Sequence, residues 1–426
     1  MSGMTLGEKI IAAHCNRDNV SPGEFVMVNT DFVLGEDVTT PIGLGIFEEL
    51  GADHVFDTER IAIVCDHLCP TRDIKSAANR KLMEDFADRM GLKYFLACDR
   101  PGGGVEHALL PQEGLVLPGD IVIGADSHTC TYGALSNFST GVGSTDFGVA
   151  MALGKVWFKV PETIRVVLKG KPSKWIGGKD IILYLIGKIG VSGALYSTLE
   201  YMGDGIGYLG MHDRFTICNM AIECGAKNAI FPFDRATKEF VEPRAKRNYK
   251  VVEADEDASY VREIEIDLTS LRSVAAMPHL PENVEVIEEM KERPKVDQVF
   301  IGSCTNGRLE DLHIAAGILK GNKIHKKIRL LVSPASEEIY MEALRDGTLE
   351  TMARAGAVIM NSTCGPCFGG NLGILADGEV CVSTSNRNFV GRMGHKNSKV
   401  ILVSPAVAAA SALTGILSSP SEVTGE

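Results

Sequence analysis

Three cysteines in two short loops constrain this chain more than any other feature of its sequence. Residues 301–306 carry Cys304, and residues 362–370 carry Cys364 and Cys367 as a Cys-x-x-Cys pair. Glycine, proline, serine and threonine surround each cysteine, which predicts tight loops at the ends of apolar runs. A Cys-x-x-Cys pair lets two thiolates converge on one metal site, and a third thiolate from another loop can join them.

Three interpretations of these cysteines follow from their spacing. A structural zinc site normally takes four protein ligands, and no fourth cysteine or histidine is near. A redox dithiol would need only Cys364 and Cys367 and would leave Cys304 without a role. Three thiolates with an open fourth corner suit a [4Fe–4S] cluster whose fourth iron can act as a Lewis acid. The spacing alone leaves these alternatives open.

The overall charge of the chain excludes several classes of partner. The net charge is −12 with no basic run, which argues against a nucleic-acid or anionic-membrane surface. An anionic substrate would instead need local arginines. Residues 1–9 lack a long apolar core, so we expect no signal peptide, and residues 403–417 are too short to span a bilayer.

The other cysteines are scattered and bring the total to eleven, an odd number, which is not typical of a disulfide scaffold. We expect them to be reduced and mostly buried, in a cytoplasmic protein. They are Cys15, Cys65, Cys69, Cys98, Cys130, Cys218, Cys224 and Cys381.

Strand and helix signals alternate along the chain and predict an α/β fold with parallel strands. Thr5 and Glu8 form a capping-box signature for a first helix, and residues 24–33 are expected to form one strand. Apolar runs at 61–65, 94–97 and 121–124 predict further strands, and residues 74–90 predict a helix that Gly91 ends. Prolines at 278, 281 and 294 favour a division into residues 1–285 and residues 286–426, with the cysteine loops in the second unit.

Residues 383–392, Ser-Thr-Ser-Asn-Arg-Asn-Phe-Val-Gly-Arg, complete a pattern with the two cysteine loops. This pattern resembles the aconitase superfamily, and most closely the large subunits of the 3-isopropylmalate dehydratase and homoaconitase group. Matches run along nearly the whole chain. The resemblance implies three-layer α/β/α subdomains packed around an iron–sulfur cluster. It also implies one [4Fe–4S] cluster per subunit, bound by Cys304, Cys364 and Cys367 with one open iron.

The same resemblance implies a set of acid–base and binding residues. Three histidines are expected to lie in the site with carboxylate partners, and in the family the first of them lies near the departing hydroxyl group. These pairs are His67 with Asp66, His107 with Asp126, and His128 with Glu223. Arg387, Arg392 and Ser127 are expected to bind substrate, because a guanidinium pairs well with a carboxylate. Asn219 and Asn386 are expected to hydrogen-bond near the cluster and tune it.

Glu36 departs from the family pattern, because aconitases carry a substrate-contacting glutamine at this position. A carboxylate there would repel a substrate carboxylate unless it is protonated or turned away. We therefore expect Glu36 not to contact substrate as that glutamine does.

The resemblance also implies a function and a partner. Full-length aconitases carry a further domain with the serine that abstracts the substrate proton, and no late segment here resembles it. We expect a separate small subunit to supply that serine and further arginines. The implied activity is a hydro-lyase that isomerises 2-isopropylmalate and 3-isopropylmalate through a maleate-type intermediate in leucine biosynthesis. The alternatives are a homoaconitase, a dimethylmalate or methylmalate dehydratase, and an iron-sensing RNA-binding protein, which the acidic balance disfavours.

Overall fold

The computed structural model describes residues 3–425, and within them the chain forms eighteen strands and thirteen α-helices. The strands are β1 Phe25–Asn29, β2 Phe32–Glu36, β3 Ile61–Cys65, β4 Tyr94–Ala97, β5 Ile121–Gly124, β6 Phe138–Gly141, β7 Lys155–Lys159, β8 Thr163–Lys169, β9 Thr198–Met202, β10 Asn228–Ile230, β11 Arg262–Asp267, β12 Val274–Ala276, β13 Val284–Val286, β14 Gln298–Ile301, β15 Arg329–Val332, β16 Val358–Ile359, β17 Val380–Ser383 and β18 Lys399–Leu402.

The helices connect and cover these strands. They are α1 Leu6–His14, α2 Thr40–Glu49, α3 Ile74–Met90, α4 Glu106–Gln112, α5 Ser144–Leu153, α6 Gly178–Ile189, α7 Met211–Asn219, α8 Arg235–Val241, α9 Leu309–Leu319, α10 Glu337–Arg345, α11 Thr348–Ala355, α12 Pro405–Thr414 and α13 Pro420–Thr424. Short 3-10 helices span Ser127–Leu135, Asp204–Tyr208, Met220–Cys224, Leu268–Ser270, Ile287–Glu289 and Gly365–Phe368.

The strands form three large sheets and one small ribbon. A five-stranded sheet has the order β4-β3-β2-β5-β6, and a four-stranded sheet has the order β10-β9-β8-β11; every pairing in both is parallel. A seven-stranded sheet has the order β13-β12-β18-β17-β14-β15-β16 and is parallel from β18 to β16. The mixed α/β fold with parallel sheets, predicted from the sequence, is confirmed.

The central strands are buried on both faces, which gives the layered arrangement. In β3, Ile61 and Ile63 face one hydrophobic core while Ala62 and Val64 face another. The second of these cores also takes in Phe300 of β14, so it lies between the five-stranded and the seven-stranded sheets. Unbroken apolar strands such as β3 are typical of parallel sheets whose two faces are both covered.

Most of the predicted element bounds are correct, and one is wrong. Thr5 caps α1 with a complete capping box, and Gly91 ends α3 in the left-handed conformation. The single strand expected over residues 24–33 is instead two strands, β1 and β2. β1 pairs antiparallel with β7 in a separate ribbon, whereas β2 enters the five-stranded sheet. An apolar run does not reveal that its two halves have different partners.

The boundary expected near residue 285 stays a prediction. In the seven-stranded sheet, β12 precedes residue 285 and β13 contains it, whereas the other five strands follow it. Among residues 3–425, no helix is both long enough and apolar enough to cross a membrane.

A buried ion pair fixes the position of α7, the helix that ends in Asn219. Arg214 is fully buried, and its two terminal nitrogens donate to the two carboxylate oxygens of Asp234 at 2.9 and 2.7 Å. We expect Arg214→Ala to lower the free energy of unfolding by about 2 to 4 kcal/mol, less than for a fully buried pair because solvent reaches Asp234. Urea unfolding measures this. Arg235→Ala, which removes an exposed arginine from the neighbouring helix α8, is the control and should leave the unfolding midpoint unchanged.

Candidate active site

The site forms where the carboxyl ends of strands from two sheets face each other. Residues 66–67 and 126–128 follow β3 and β5 of the five-stranded sheet, while Cys304 and residues 386–387 follow β14 and β17 of the seven-stranded sheet. Such strand ends are where ligand sites lie in α/β folds. They line a cavity that is open to solvent. Its walls are Glu36, Val38, Thr39, Asp66, His67, Val105, Glu106, His107, Asp126, His128, Cys304, Cys364, Cys367, Phe368, Asn386, Arg387 and Arg392.

The three cysteines of the two loops meet in this cavity, and all three are buried. Gly365 sits between the paired cysteines with φ of +63°, and a Cβ there would lie 2.9 Å from the ring of Phe300, so glycine is required. The Cys364 N–H donates to the carbonyl of Asp66 at 3.0 Å. This bond ties the cysteine loop to the loop that carries His67.

Several polar side chains donate hydrogen bonds to the cysteine sulfurs. The Nδ2 groups of Asn219 and Asn386 lie 3.2 and 3.3 Å from Cys304 Sγ. Ser303 Oγ lies 3.7 Å from both Cys304 Sγ and Cys367 Sγ. Amide and hydroxyl donors aimed at buried sulfurs suit thiolates, because a buried thiolate needs such donors to remain charged.

The spacing of the sulfurs separates the metal alternatives. One tetrahedral zinc ion would hold its sulfurs about 3.8 Å apart, given a zinc–sulfur distance of about 2.3 Å. Among residues 3–425, no set of three potential metal-ligand atoms within 4.8 Å of one another includes a cysteine. None of the eleven cysteines forms a disulfide. The donor set therefore fits a group larger than one ion, such as an iron–sulfur cluster, and does not fit a single zinc.

His67 is held by a carboxylate and lines the cavity. Its Nδ1 lies 2.7 Å from Asp66 Oδ1, and its ring packs edge-on against Phe368 at 5.4 Å between centroids. Burial disfavours the charged ring, but the charge and hydrogen bond of Asp66, together with the other carboxyl groups nearby, outweigh burial and raise the pKa of His67 well above its ordinary value. Because Nδ1 donates to Asp66, Nε2 is the nitrogen left to act on a ligand.

The other two expected histidine pairs are both present. His107 Nε2 lies 2.8 Å from Asp126 Oδ1, and His128 Nε2 lies 2.8 Å from Glu223 Oε1. Burial lowers the pKa of His107. Burial works against charge on Asp126 as well, but hydrogen bonds from His107 and His128 lower the pKa of Asp126 well below its ordinary value. A neutral His107 therefore donates from Nε2 to an ionised Asp126.

The two arginines expected to bind substrate have different surroundings. Arg387 donates from Nε to Glu223 Oε1 at 2.8 Å and from Nη2 to Ser127 Oγ at 3.0 Å. Some of its donors are therefore already used within the protein. Arg392 donates from Nε to the carbonyl of Cys367 at 2.9 Å. Within residues 3–425 Arg392 has no carboxylate partner. It is therefore the arginine whose remaining donors are available to an anion.

Glu36 is turned onto its own backbone. Its Oε1 accepts from the Thr39 N–H at 2.7 Å, and its Oε2 accepts from the Val38 N–H. Burial raises its pKa to about 7. Both carboxylate oxygens of Glu36 therefore already accept hydrogen bonds from the backbone, and its lack of substrate contact stays a prediction.

A sequence profile of the aconitase family (aconitate hydratase) matches residues 8–415. This chain belongs to the aconitase family. Several family members are large subunits of 3-isopropylmalate dehydratase. The one from Thermoanaerobacter pseudethanolicus is 57% identical over 421 residues, which cover 99% of this chain and 100% of that protein. The one from Caldicellulosiruptor bescii is 55% identical over 420 residues, with 99% and 97% covered.

A solved structure supports the same fold for this member of the aconitase family. The crystal structure of Thermococcus kodakaraensis aconitase X in its holo form superposes with a TM-score of 0.50. The two chains share 12% identity, and the match covers 84% of each.

Three residues that contact the loops of the site have no role among the sequence predictions. Ser303 adopts φ of +74° beside Cys304, which is uncommon outside glycine. Asp37 accepts from the His67 and Leu68 N–H groups at 3.0 and 2.8 Å. Lys179, on α6, is buried and donates to the carbonyls of Thr384 and Ser385 at 2.5 and 2.7 Å. A lysine in the first turn of an amphipathic helix carries no signal of such a contact.

Proposed function

We propose that this chain is the cluster-binding large subunit of a 3-isopropylmalate dehydratase. Such a hydro-lyase interconverts 2-isopropylmalate and 3-isopropylmalate by dehydration to a maleate-type intermediate and rehydration, a step of leucine biosynthesis. The observation that carries the proposal is identity of 54–57% over nearly the full chain with large subunits of that name. The cavity supports it, because buried thiols, histidine–carboxylate pairs and arginines converge there.

The three thiols of the cavity are the proposed ligands of a [4Fe–4S] cluster. Cys304, Cys364 and Cys367 would hold it, and Asn219 and Asn386 would donate to the sulfur of Cys304. When bound, a cluster with one open iron supplies a Lewis acid for the leaving hydroxyl group. None of the cysteines forms a disulfide, which fits a reducing cytoplasm, where we place the protein.

The acid–base steps then fall to the histidine pairs. His67 is proposed to donate a proton to the departing hydroxyl group, because hydroxide is a poor leaving group. Asp66 holds that ring through Nδ1, which leaves Nε2 to act on the substrate. His128, between Asp126 and Glu223, is proposed to complete the acid–base network.

The substrate carboxylates are proposed to bind the arginines. Arg392 would pair with one carboxylate through its free donors, and Arg387 with Ser127 would form a second polar contact. A guanidinium fork matches a carboxylate with two parallel hydrogen bonds, which fixes orientation as well as charge.

A separate small subunit completes the proposed enzyme. The relatives are named as large subunits, which implies such a partner. We propose that the partner supplies the serine that removes the substrate proton, together with further arginines. On this proposal the large subunit alone, even with its cluster, does not turn over substrate.

Substrate preference tests the proposed function. The chain would be purified without oxygen together with its candidate small subunit, and the cluster reconstituted with iron and sulfide. Hydration rates would then be compared on maleates bearing isopropyl, methyl, dimethyl and longer acidic groups. Preference for isopropylmaleate supports the proposal. Preference for homoaconitate or dimethylmaleate would keep the reaction type and change the proposed substrate. A fully assembled enzyme that hydrates none of these compounds would refute the catalytic role.

Arg392→Lys tests the carboxylate contact. Lysine keeps the positive charge but cannot form the bidentate pair, so we expect kcat/KM to fall by about 10- to 100-fold, mostly through KM. Steady-state kinetics on isopropylmaleate measures this. Arg329→Lys is the matched control, because Arg329 forms a bidentate pair with Glu379 at the surface of the protein, at 2.7 and 2.8 Å. An Arg392→Lys enzyme with unchanged KM would contradict the assignment.

A further inference from the structure

Glu106 is a buried acid in the cavity to which neither the sequence pattern nor the proposed mechanism assigns a role. It is the first residue of α4, and its side chain is only 1% exposed. Its backbone N–H donates to Asp66 Oδ2 at 2.9 Å, which fixes the start of the helix against the His67 loop. Glu106 lines the same cavity as the cysteines. Within residues 3–425 neither of its oxygens has a hydrogen-bond partner.

We propose that Glu106 is a substrate-binding residue that donates a hydrogen bond from its side chain to an oxygen of the bound hydroxy diacid. This inference rests on the proposed function. A buried polar group without a partner is costly, so two free oxygens in a ligand cavity point to a partner that arrives with the ligand.

The nearest histidine does not satisfy the Glu106 carboxyl group. His107 Nε2 lies 3.4 Å from Glu106 Oε1, but it lies 2.8 Å from Asp126 Oδ1 and donates its proton there. Tyr132 Oη lies 3.0 Å from the other ring nitrogen, His107 Nδ1, which carries no proton in a neutral ring that donates from Nε2. His107 therefore has no proton left for Glu106.

The remaining neighbours favour the protonated form of Glu106. The side chains of Asp66, Asp126 and Glu36 face it, and His67 is the one cation among the groups that act on it most strongly. Burial, together with the charges of Asp66 and Asp126, raises the pKa of Glu106 well above its ordinary value. A protonated carboxyl group offers one O–H donor and one acceptor oxygen. The protonated Glu106 carboxyl group can therefore contact an anionic substrate, which a charged carboxylate at the same place would repel.

A metal ion is the competing occupant for this acid. Potential ligand atoms of Glu106, His107 and Asp126 lie within 4.8 Å of one another, and so do those of Asp66, His67 and Glu106. A cation would require Glu106 as a carboxylate, whereas the proposed hydrogen bond requires the acid. Replacing Glu106 with glutamine should therefore weaken metal binding but preserve the hydrogen bond to substrate.

Two variants in the assembled enzyme separate these uses. Glu106→Gln keeps a neutral donor of the same shape, so we expect kcat/KM for isopropylmaleate to fall less than about threefold. Glu106→Met keeps the volume but has no donor, so we expect a loss of about 10- to 100-fold, mostly in KM. Iron and sulfide content and thermal unfolding establish that both variants fold and load normally. Infrared difference spectra between wild type and Glu106→Gln should show the carbonyl band of a protonated carboxylic acid in the wild type only.

Each result decides the role of Glu106 separately from the proposed function. A Glu106→Gln enzyme as weak as Glu106→Met, a Glu106→Met enzyme with unchanged KM, or a missing infrared band overturns the inference. Wild-type enzyme that hydrates no maleate would refute the proposed function instead. In that case the infrared band still decides whether Glu106 carries its proton.

Discussion

Replacing Cys304 with serine is expected to lower turnover of isopropylmaleate by more than about a thousandfold, because the proposed cluster would supply several kcal/mol of stabilisation to the departing oxygen. Two asparagine amides and the Ser303 hydroxyl are directed at the sulfur of Cys304. A serine hydroxyl in its place is a poor ligand for iron. We therefore expect loss of iron and inorganic sulfide together with loss of activity.

A second buried cysteine provides the matched control. Cys381 lies on β17, in the same sheet as the strand before Cys304, but does not line the cavity. Cys381→Ser should therefore retain the iron, the sulfide and the visible absorption of the cluster. Metal analysis and absorption spectra of both variants measure the difference. The proposed mechanism excludes an active Cys304→Ser enzyme without iron, so its detection would refute the cluster assignment.

The sequence predicted a helix or strand correctly wherever the whole element packs in a single sheet or layer. Residues 61–65 and 121–124 are short apolar runs bounded by polar residues, and both form the strands that these patterns predict. The helix at 74–90 carries its own stop signal in Gly91. The run at 24–33 gave the wrong prediction because a break at residues 30–31 separates strands that belong to different sheets, and long-range pairing is not encoded in a local pattern.

The residues of the site could be predicted from family motifs but not from local sequence patterns. Loop residues such as Cys304 and His67 stand in long specific motifs, and the structure places them around one cavity. Lys179 and Asp37 were missed because their contacts arise from packing between elements distant in sequence. Glu106 was missed for a related reason: a glutamate at the start of a helix is ordinarily a favourable first-turn acid, and only its burial without a partner distinguishes it.

Replacing His67 with glutamine is expected to lower kcat by about 10²- to 10⁴-fold, the range typical of removing a general acid. The amide can occupy the position of the ring beside Asp66, but it cannot release a proton to a leaving hydroxyl group. Because His67 is proposed to act on the departing oxygen and not to hold the carboxylates, KM should change much less than kcat. Cluster content should stay the same, since His67 is not a proposed ligand.

A second histidine–aspartate pair gives the control for this experiment. His313 Nε2 lies 2.6 Å from Asp346 Oδ2, and this pair of the same kind is exposed and does not line the cavity. His313→Gln should leave kcat unchanged, which excludes a general effect of breaking such a pair. Pre-steady-state rates of isopropylmaleate formation distinguish a slower chemical step from slower product release. If His67→Gln slows only product release, or raises KM alone, the proton donor must be another residue, and His128 is the next candidate because it lies on the same cavity with two carboxylate partners.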